Sequence, residues 1–334
     1  MSSPTIKDVA KLAGVSISTV SRVMNDSKPV SPEARRKVID AINKLDFKPN
    51  ELARSLVMKR SNLIGVIVKD IGISYMAQIV RGIEEIGRMY KYDILLSSTY
   101  GDIEQESKIM DFMLTKQVEG IVMISEDTNP EVIYKLKNQS APFIHLDKFY
   151  DYEDTHTVSI DYVNASKEMT NYLIKQNHKR IIFLEEFTGT KIGKAKQKGY
   201  IDVMEENGLE AIIMNAAGIN IKGGYDISEK ILEKAVKEDV SAVFCAEDEL
   251  AIGLLNYCYD HNVKVPENIS IAGFGDVPLA SIYRPSLTTV REPYYDIGAV
   301  SMRKLVKELK ENQKIIDNTI LPSELIERES VLKI

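Results

Sequence analysis

The residues best suited to chemistry lie near the start of the chain. Ser16, Ile17, Ser18, Thr19, Ser21 and Arg22 fall in one short run inside the stretch from Thr5 to Asn25. Such a set suits the reading of duplex DNA. A guanidinium presents a planar fork that reaches guanine O6 and N7 together, short hydroxyls serve bases or phosphates, and an aliphatic side chain packs on a thymine methyl. Arg22 is the candidate for the bidentate contact and Ile17 for the methyl. Ser18, Thr19 and Ser21 supply polar contacts, and Thr5 and Asn25 complete the set at its two ends. The plain alternative is a solvated polar helix face.

Those side chains need a helix to aim them. Ile6, Val9, Ala10 and Ala13 repeat at helical spacing, with Thr5 as N-cap and Gly14 as the stop. Ser16 can cap a second helix over 17–24, whose inward stripe is Val20, Val23 and Met24. The turn between the two has the length of a helix-turn-helix. A third helix begins at Ser31-Pro32-Glu33 and runs to about Lys44, with Val38, Ile39, Ile42 and Leu45 inward.

Charge distribution supports the same reading. The chain has 334 residues and a net charge of −6, yet residues 1–60 carry 7 Lys and 5 Arg against 6 acids, a net of +6. The remainder is therefore at −12. A basic head on an acidic body is the asymmetry expected when one end meets phosphate. No apolar run reaches the roughly 20 residues of a membrane span. The N-terminal residues lack a signal-peptide core, which points to a cytoplasmic protein. Cys245 and Cys258 sit in apolar surroundings at a spacing that suits buried thiols. His145, His156, His178 and His261 are scattered, and there is no metal-spaced pair, nucleophile elbow or glycine-rich phosphate loop. The expectation is a protein that is not an enzyme and has no metal and no cofactor.

Beyond Ser61 the pattern turns to alternating strands and helices. Strands are predicted at 63–68, 94–97, 120–124 and 142–146, with helices near 76–89, 103–114 and 130–136 between them. A second series follows, with strands at 180–184, 211–215, 242–245 and 269–273. Two α/β lobes with parallel sheets are the economical reading, and a cleft between lobes suits a small-molecule switch.

The runs TIKDVAKLAGVSISTVSRVMND and FKPNELARSL resemble the N-terminal domain of the Lac repressor family. The resemblance extends to the two-lobed, periplasmic-binding-protein-like core and so covers the whole chain. It implies a helix-turn-helix domain over 1–49, a hinge helix over 50–60 and an effector-binding and dimerisation core over 61–334. It further implies a homodimer on a double-stranded, pseudo-palindromic operator, with Leu56 wedged into the minor groove and Asn50 and Ala53 against the groove or backbone.

In the cleft the sequence departs from the family pattern. Sugar- and purine-responsive members place an Arg where KAKQKGY has Lys196, an Asn where CAEDELAIG has Glu247, and an Asp where AGFGDVPLA has Gly275. Arg and Asp offer bidentate donors and acceptors to vicinal hydroxyls, so the sugar clamp is weakened. Asp276 is shifted by one residue and could supply the missing carboxylate. Two further runs, RGIEEIGRMYKYDILLSS and REPYYDIGAVSMRKLVKEL, resemble the catabolite-control subgroup. There the co-repressor is the serine-phosphorylated phosphocarrier HPr. The resemblance assigns Tyr295, Asp296, Val300, Met302, Arg303 and Lys304, expected on the second lobe, to that partner, together with the region 81–92 of the first lobe. Adjacent Arg303 and Lys304 cannot both face one point on a helix. The alternatives that stay open are packing or dimerisation by this helix, a small effector in the cleft, and an enzyme or transport protein built on the same lobes. The last leaves the basic head unexplained.

Overall fold

The computed structural model describes residues 4–25, 28–47, 60–124, 131–132, 134, 142–146, 157–186, 191–311 and 318–334. The chain divides between Ser61 and Asn62 into two compact units.

The first unit holds three helices, α1 (Ile6–Ala13), α2 (Ile17–Asn25) and α3 (Pro32–Leu45). Local chemistry sets their ends. The Asp8 carboxylate accepts from the Thr5 N–H at 2.8 Å and the Thr5 hydroxyl at 2.7 Å, and these bonds lower its pKa. Gly14 takes a left-handed φ of 65° that closes α1. The Ser16 hydroxyl accepts from the Thr19 N–H at 3.1 Å, and Ser31 does the same for Ala34 at the start of α3. Val9, Ala10, Ala13, Val20, Val23, Val38, Ala41 and Phe47 form the small core these helices share. One expected core residue is misplaced: Ile39 is exposed, and Phe47, beyond the helix, fills the core instead.

The second unit is built on two main sheets. The first-lobe sheet has four parallel strands in the order β2-β1-β3-β4: β1 is Leu63–Val68, β2 Asp93–Ser98, β3 Gly120–Ile124 and β4 Phe143–His145. Helices α4 (Met76–Met89) and α5 (Ile103–Thr115) flank it. The helix expected near 130–136 lies largely outside the described residues.

The second-lobe sheet has six strands in the order β12-β10-β9-β8-β6-β7. They are β6 (Ile181–Glu186), β7 (Ile212–Ala216), β8 (Ala242–Cys245), β9 (Ser270–Gly275), β10 (Thr288–Arg291) and β12 (Glu324–Ile326). Only β12, at one edge, runs antiparallel. Its helices are α6 (Tyr162–Lys175), α7 (Lys191–Glu206), α8 (Ile221–Glu238), α9 (Asp248–Asp260) and the short α10 (Pro278–Ile282). A separate two-stranded parallel pair joins β5 (Val158–Ile160) to β11 (Thr319–Leu321).

The last long helix, α11 (Tyr294–Glu311), corrects the sequence reading. It follows a second-lobe strand, yet it packs against α4 and joins the first-lobe core through Tyr294, Ile297, Met302, Leu305 and Val306. Two glycines make this possible. A Cβ on Gly82 would overlap Tyr295 O, and one on Gly298 would overlap Ile79 O, so the two backbones approach more closely than any side chain permits. Among the described residues, no helix is long and apolar enough to cross a membrane.

Candidate nucleic-acid interface, cleft and partner face

On α2 the outward face carries the predicted series. Ser16, Ser18 and Arg22 are exposed, Ile17 is 45% exposed, and Thr19 and Ser21 are half-buried. The Ser16 hydroxyl lies 2.8 Å from that of Ser18 and 2.9 Å from that of Thr19, so three hydroxyls sit together at the helix N-terminus. Arg22 makes no hydrogen bond or ion pair among the described residues and projects one turn further along. Thr5 is exposed at the start of α1, and Asn25 is the last residue of α2. A helix N-terminus ringed with small hydroxyls and followed by an open guanidinium can enter a major groove. Asn50, Ala53 and Leu56 lie outside the described residues.

The cleft of the core is a cavity of about 70 Å³ whose lining comes from both lobes, with Tyr75, Ile79 and Tyr294 facing Tyr162, Lys196 and Glu247. Lys196 comes from α7 and is 1% exposed. Its ammonium donates to Ala246 O at 2.9 Å and to Glu247 Oε1 at 2.8 Å, and lies 3.8 Å from Glu292 Oε1. The Phe274 ring lies beneath it, 3.9 Å from Nζ to centroid. Glu292 accepts from Tyr162 Oη at 2.6 Å and Tyr294 Oη at 3.1 Å. Burial, followed by the Glu292 carboxylate, holds the Tyr294 phenol well above its usual pKa.

Gly275 and Asp276 do not line this cavity. The idea that Asp276 supplies a clamp carboxylate is corrected by its partners. Its two oxygens accept from Arg291 Nε at 2.7 Å and an Arg328 terminal nitrogen at 2.6 Å, which tie β9 to β10 and the C-terminal segment. Asp248 is buried one layer below, accepting from Thr289 Oγ1 at 2.5 Å and the Val277 N–H at 2.8 Å; burial pushes its carboxyl up to about 6. Sequence reasoning missed Glu292 and Tyr162, because neither belongs to a spaced motif and only the fold brings them to Lys196.

The third region is the α4–α11 face. Tyr295 Oη donates to Glu85 Oε2 at 2.8 Å, and Glu85 also accepts from Arg81 Nε at 2.8 Å. Those hydrogen bonds lower the pKa of Glu85, and the bond to Glu85 raises that of Tyr295. Arg303 and Asp296 are exposed, while Val300 and Lys304 are half-buried. Met302 is corrected as a partner contact: it is 0% exposed and belongs to the core beneath α11. All six residues stand on the first lobe, beside the 81–92 region that was assigned to the same partner from a distant part of the sequence.

A helix-turn-helix head joined to a two-lobed parallel α/β core defines a DNA-reading regulator with a separate control module. Residues 5–50 match the description "Bacterial regulatory proteins, lacI family", and residues 170–331 match a periplasmic binding protein-like domain. The chain is 36% identical to catabolite control protein A of Priestia megaterium, over 98% of each. It is 35% identical to the HTH-type transcriptional regulator RegA of Clostridium saccharobutylicum, over 98% of this chain and 99% of that one. The Lac repressor dimer bound to operator and the anti-inducer ONPF has the same fold, with a TM-score of 0.89 at 24% identity, covering 99% of this chain and all of that one. The transcription regulator CcpA of Lactococcus lactis matches with a TM-score of 0.72 at 29% identity, over 80% of this chain and 98% of that one. The chain belongs to the lacI family of DNA-binding transcriptional regulators.

Proposed function

We propose that this regulator serves carbon catabolite control, binding pseudo-palindromic operators as a homodimer with serine-phosphorylated HPr as co-repressor. The observation that carries the proposal is the α4–α11 face. Two segments more than two hundred residues apart, singled out separately in the sequence, lie side by side through the contact at Gly82 and Gly298. Arg303 stands exposed on that face, and a guanidinium is well matched to a phosphoserine, whose near-dianionic charge wants a planar fork of donors. The identity to catabolite control protein A along the full chain supports the same reading.

In this mechanism each protomer aims one α2 into the major groove, and the two-fold axis sets the half-sites about one duplex turn apart. Arg22 reads a guanine and Ile17 a thymine methyl. Ser16 holds the helix start, Ser18, Thr19 and Ser21 contact bases or phosphates, and Thr5 and Asn25 flank them. Leu56 wedges into the minor groove, with Asn50 and Ala53 against the groove or backbone. The partner acts by binding the DNA-competent arrangement of the core more tightly than the alternative, since a ligand shifts an equilibrium only by its differential affinity.

Calorimetric titration of the full chain with HPr, unmodified and serine-phosphorylated, tests this. Only the phosphorylated form is expected to bind and to raise operator affinity, and Arg303→Ala is expected to abolish the response. Equal binding of both forms would overturn the phosphate assignment. A second reading, control by a small molecule, has the cavity lined by both lobes in its favour; ribose and glucose 6-phosphate as titrants in the same experiment test it.

A further inference from the structure

The buried polar groups of the cleft are already engaged by the protein itself, while Lys69, the other cation of its lining, is exposed. A lysine buried to 1% exposure is tolerated only when paired, because an ammonium taken out of water loses its hydration. Lys196 is paired on several sides, by Ala246 O, Glu247 Oε1, Glu292 and the Phe274 ring. Glu292 is held in turn by Tyr162 from the second lobe and by Tyr294 from α11, whose ring stacks on Tyr75 of the first lobe at 4.9 Å. The carboxylate thus sits on the connection from β10 to α11 with hydrogen bonds reaching elements of both lobes. Ser74 Oγ also donates to Glu249 Oε1 at 3.0 Å, a direct bond from one lobe to the other. Much of the remaining lining is apolar, including Met76, Ile79, Ile124, Leu146 and Ile297.

Recognition of a hydroxylated molecule needs donors and acceptors that are open toward it. Entry here would require such a molecule to break the Lys196–Glu247 pair or the tyrosine–Glu292 bonds, leaving a buried charge short of partners. We infer that the Glu292-centred cluster takes the place of a small hydroxylated ligand in this cleft, setting its specificity against such ligands and latching the two lobes without one. This rests on the core being the control module of a DNA-binding regulator and is independent of the assignment of HPr as its partner.

Hydrogen-exchange mass spectrometry on the full chain tests the inference. Segments 70–79, 158–163 and 292–297 are expected to be protected in the unliganded protein and unchanged by millimolar ribose or glucose 6-phosphate. Glu292→Gln should speed exchange there by roughly tenfold, while the central strands β1 and β8 keep their protection as the control for folding. Tyr162→Phe removes one hydroxyl donor and no charge, so it should give a smaller increase confined to the same segments. It is also the deciding variant if Glu292→Gln loses protection throughout the core. Increased protection on adding either sugar to the unsubstituted chain would overturn the inference, and so would unchanged exchange in Tyr162→Phe.

Discussion

The contact between α4 and α11 supports a comparison of two glycines on one helix. A Cβ on Gly82 would overlap the Tyr295 carbonyl oxygen and come within 2.8 Å of Ala299 N, both of them backbone atoms that cannot turn aside. Carbon atoms pack at about 3.5–4 Å, so Gly82→Ala must push the two helices apart by on the order of 1 Å. Overpacking of this kind costs about 1–3 kcal/mol. Against it stands the helix-propensity gain of about 1 kcal/mol from replacing glycine by alanine. Gly87, one turn and a half further on, meets Ile94 Cδ1 at 3.3 Å and Met302 Cε at 3.4 Å, the movable ends of two side chains, and its one backbone neighbour, Tyr92 O, lies at an ordinary contact distance of 3.5 Å. Gly87→Ala should therefore keep most of the propensity gain. The two variants are expected to differ by about 2 kcal/mol, or roughly 5 °C in the melting temperature of the core. Far-UV circular dichroism suits the measurement, since the chain has no tryptophan. Because Arg303 rides on α11, Gly82→Ala should also weaken the response to serine-phosphorylated HPr, while Gly87→Ala leaves it intact. Equal melting temperatures for the two variants would refute the close-approach argument.

Other substitutions address Arg22, Leu56 and the buried carboxylate. Arg22→Ala should cost about 1–3 kcal/mol on the specific operator and relax preference at one base pair; an unchanged ratio of specific to random-DNA affinity would remove Arg22 from the base contact. Leu56→Ala should reduce operator bending in a circular-permutation gel assay while dimerisation persists; unaltered bending would end the wedge role. The folded pKa of Asp248, about 6, lies above the ordinary carboxyl value, so its contribution to stability is complete below about pH 4 and is lost as pH rises through 6. In Asp248→Asn the amide can still accept from Val277 N–H and bond Thr289, so the variant should melt higher than the parent at pH 7.5 and show a flatter profile between pH 4 and 6. A lower melting point at pH 7.5 with the slope retained would count against burial as the cause.

Much of the head was legible in the linear sequence because its determinants are local. A cap at Thr5, a stop at Gly14, a second cap at Ser16 and Pro32 at the start of α3 act within a few residues of where they stand. Helical periodicity then separates Val20 and Val23, which are buried, from Ile17 and Arg22, which are not. The failure at Ile39 marks the limit of that reasoning: three short helices leave room for a particular set of side chains, and Phe47 claims a place that periodicity assigns elsewhere. In the core, strand and helix positions were legible for the same reason, since buried parallel strands read as short apolar runs.

The positions of whole elements were another matter. The residues 294–311 do not by themselves show that this helix leaves the second lobe; that depends on Gly298 meeting the helix that carries Gly82, a backbone approach between segments distant in sequence. The same packing takes Met302 out of reach of any partner and leaves Arg303, its neighbour, exposed. Lys196 read alone is a cation at a position where a sugar clamp would need a guanidinium. Folded, it is a counterion to Glu247 and Glu292, and Asp276, which looked available, belongs to Arg291 and Arg328. The sequence by itself determined that the protein carries a DNA-reading helix-turn-helix on a two-lobed core, because periodicity, capping and charge are properties of neighbours. Only tertiary structure decided which charges are spent on one another and which face outward, because pairing a buried charge depends on groups that the fold brings from far along the chain.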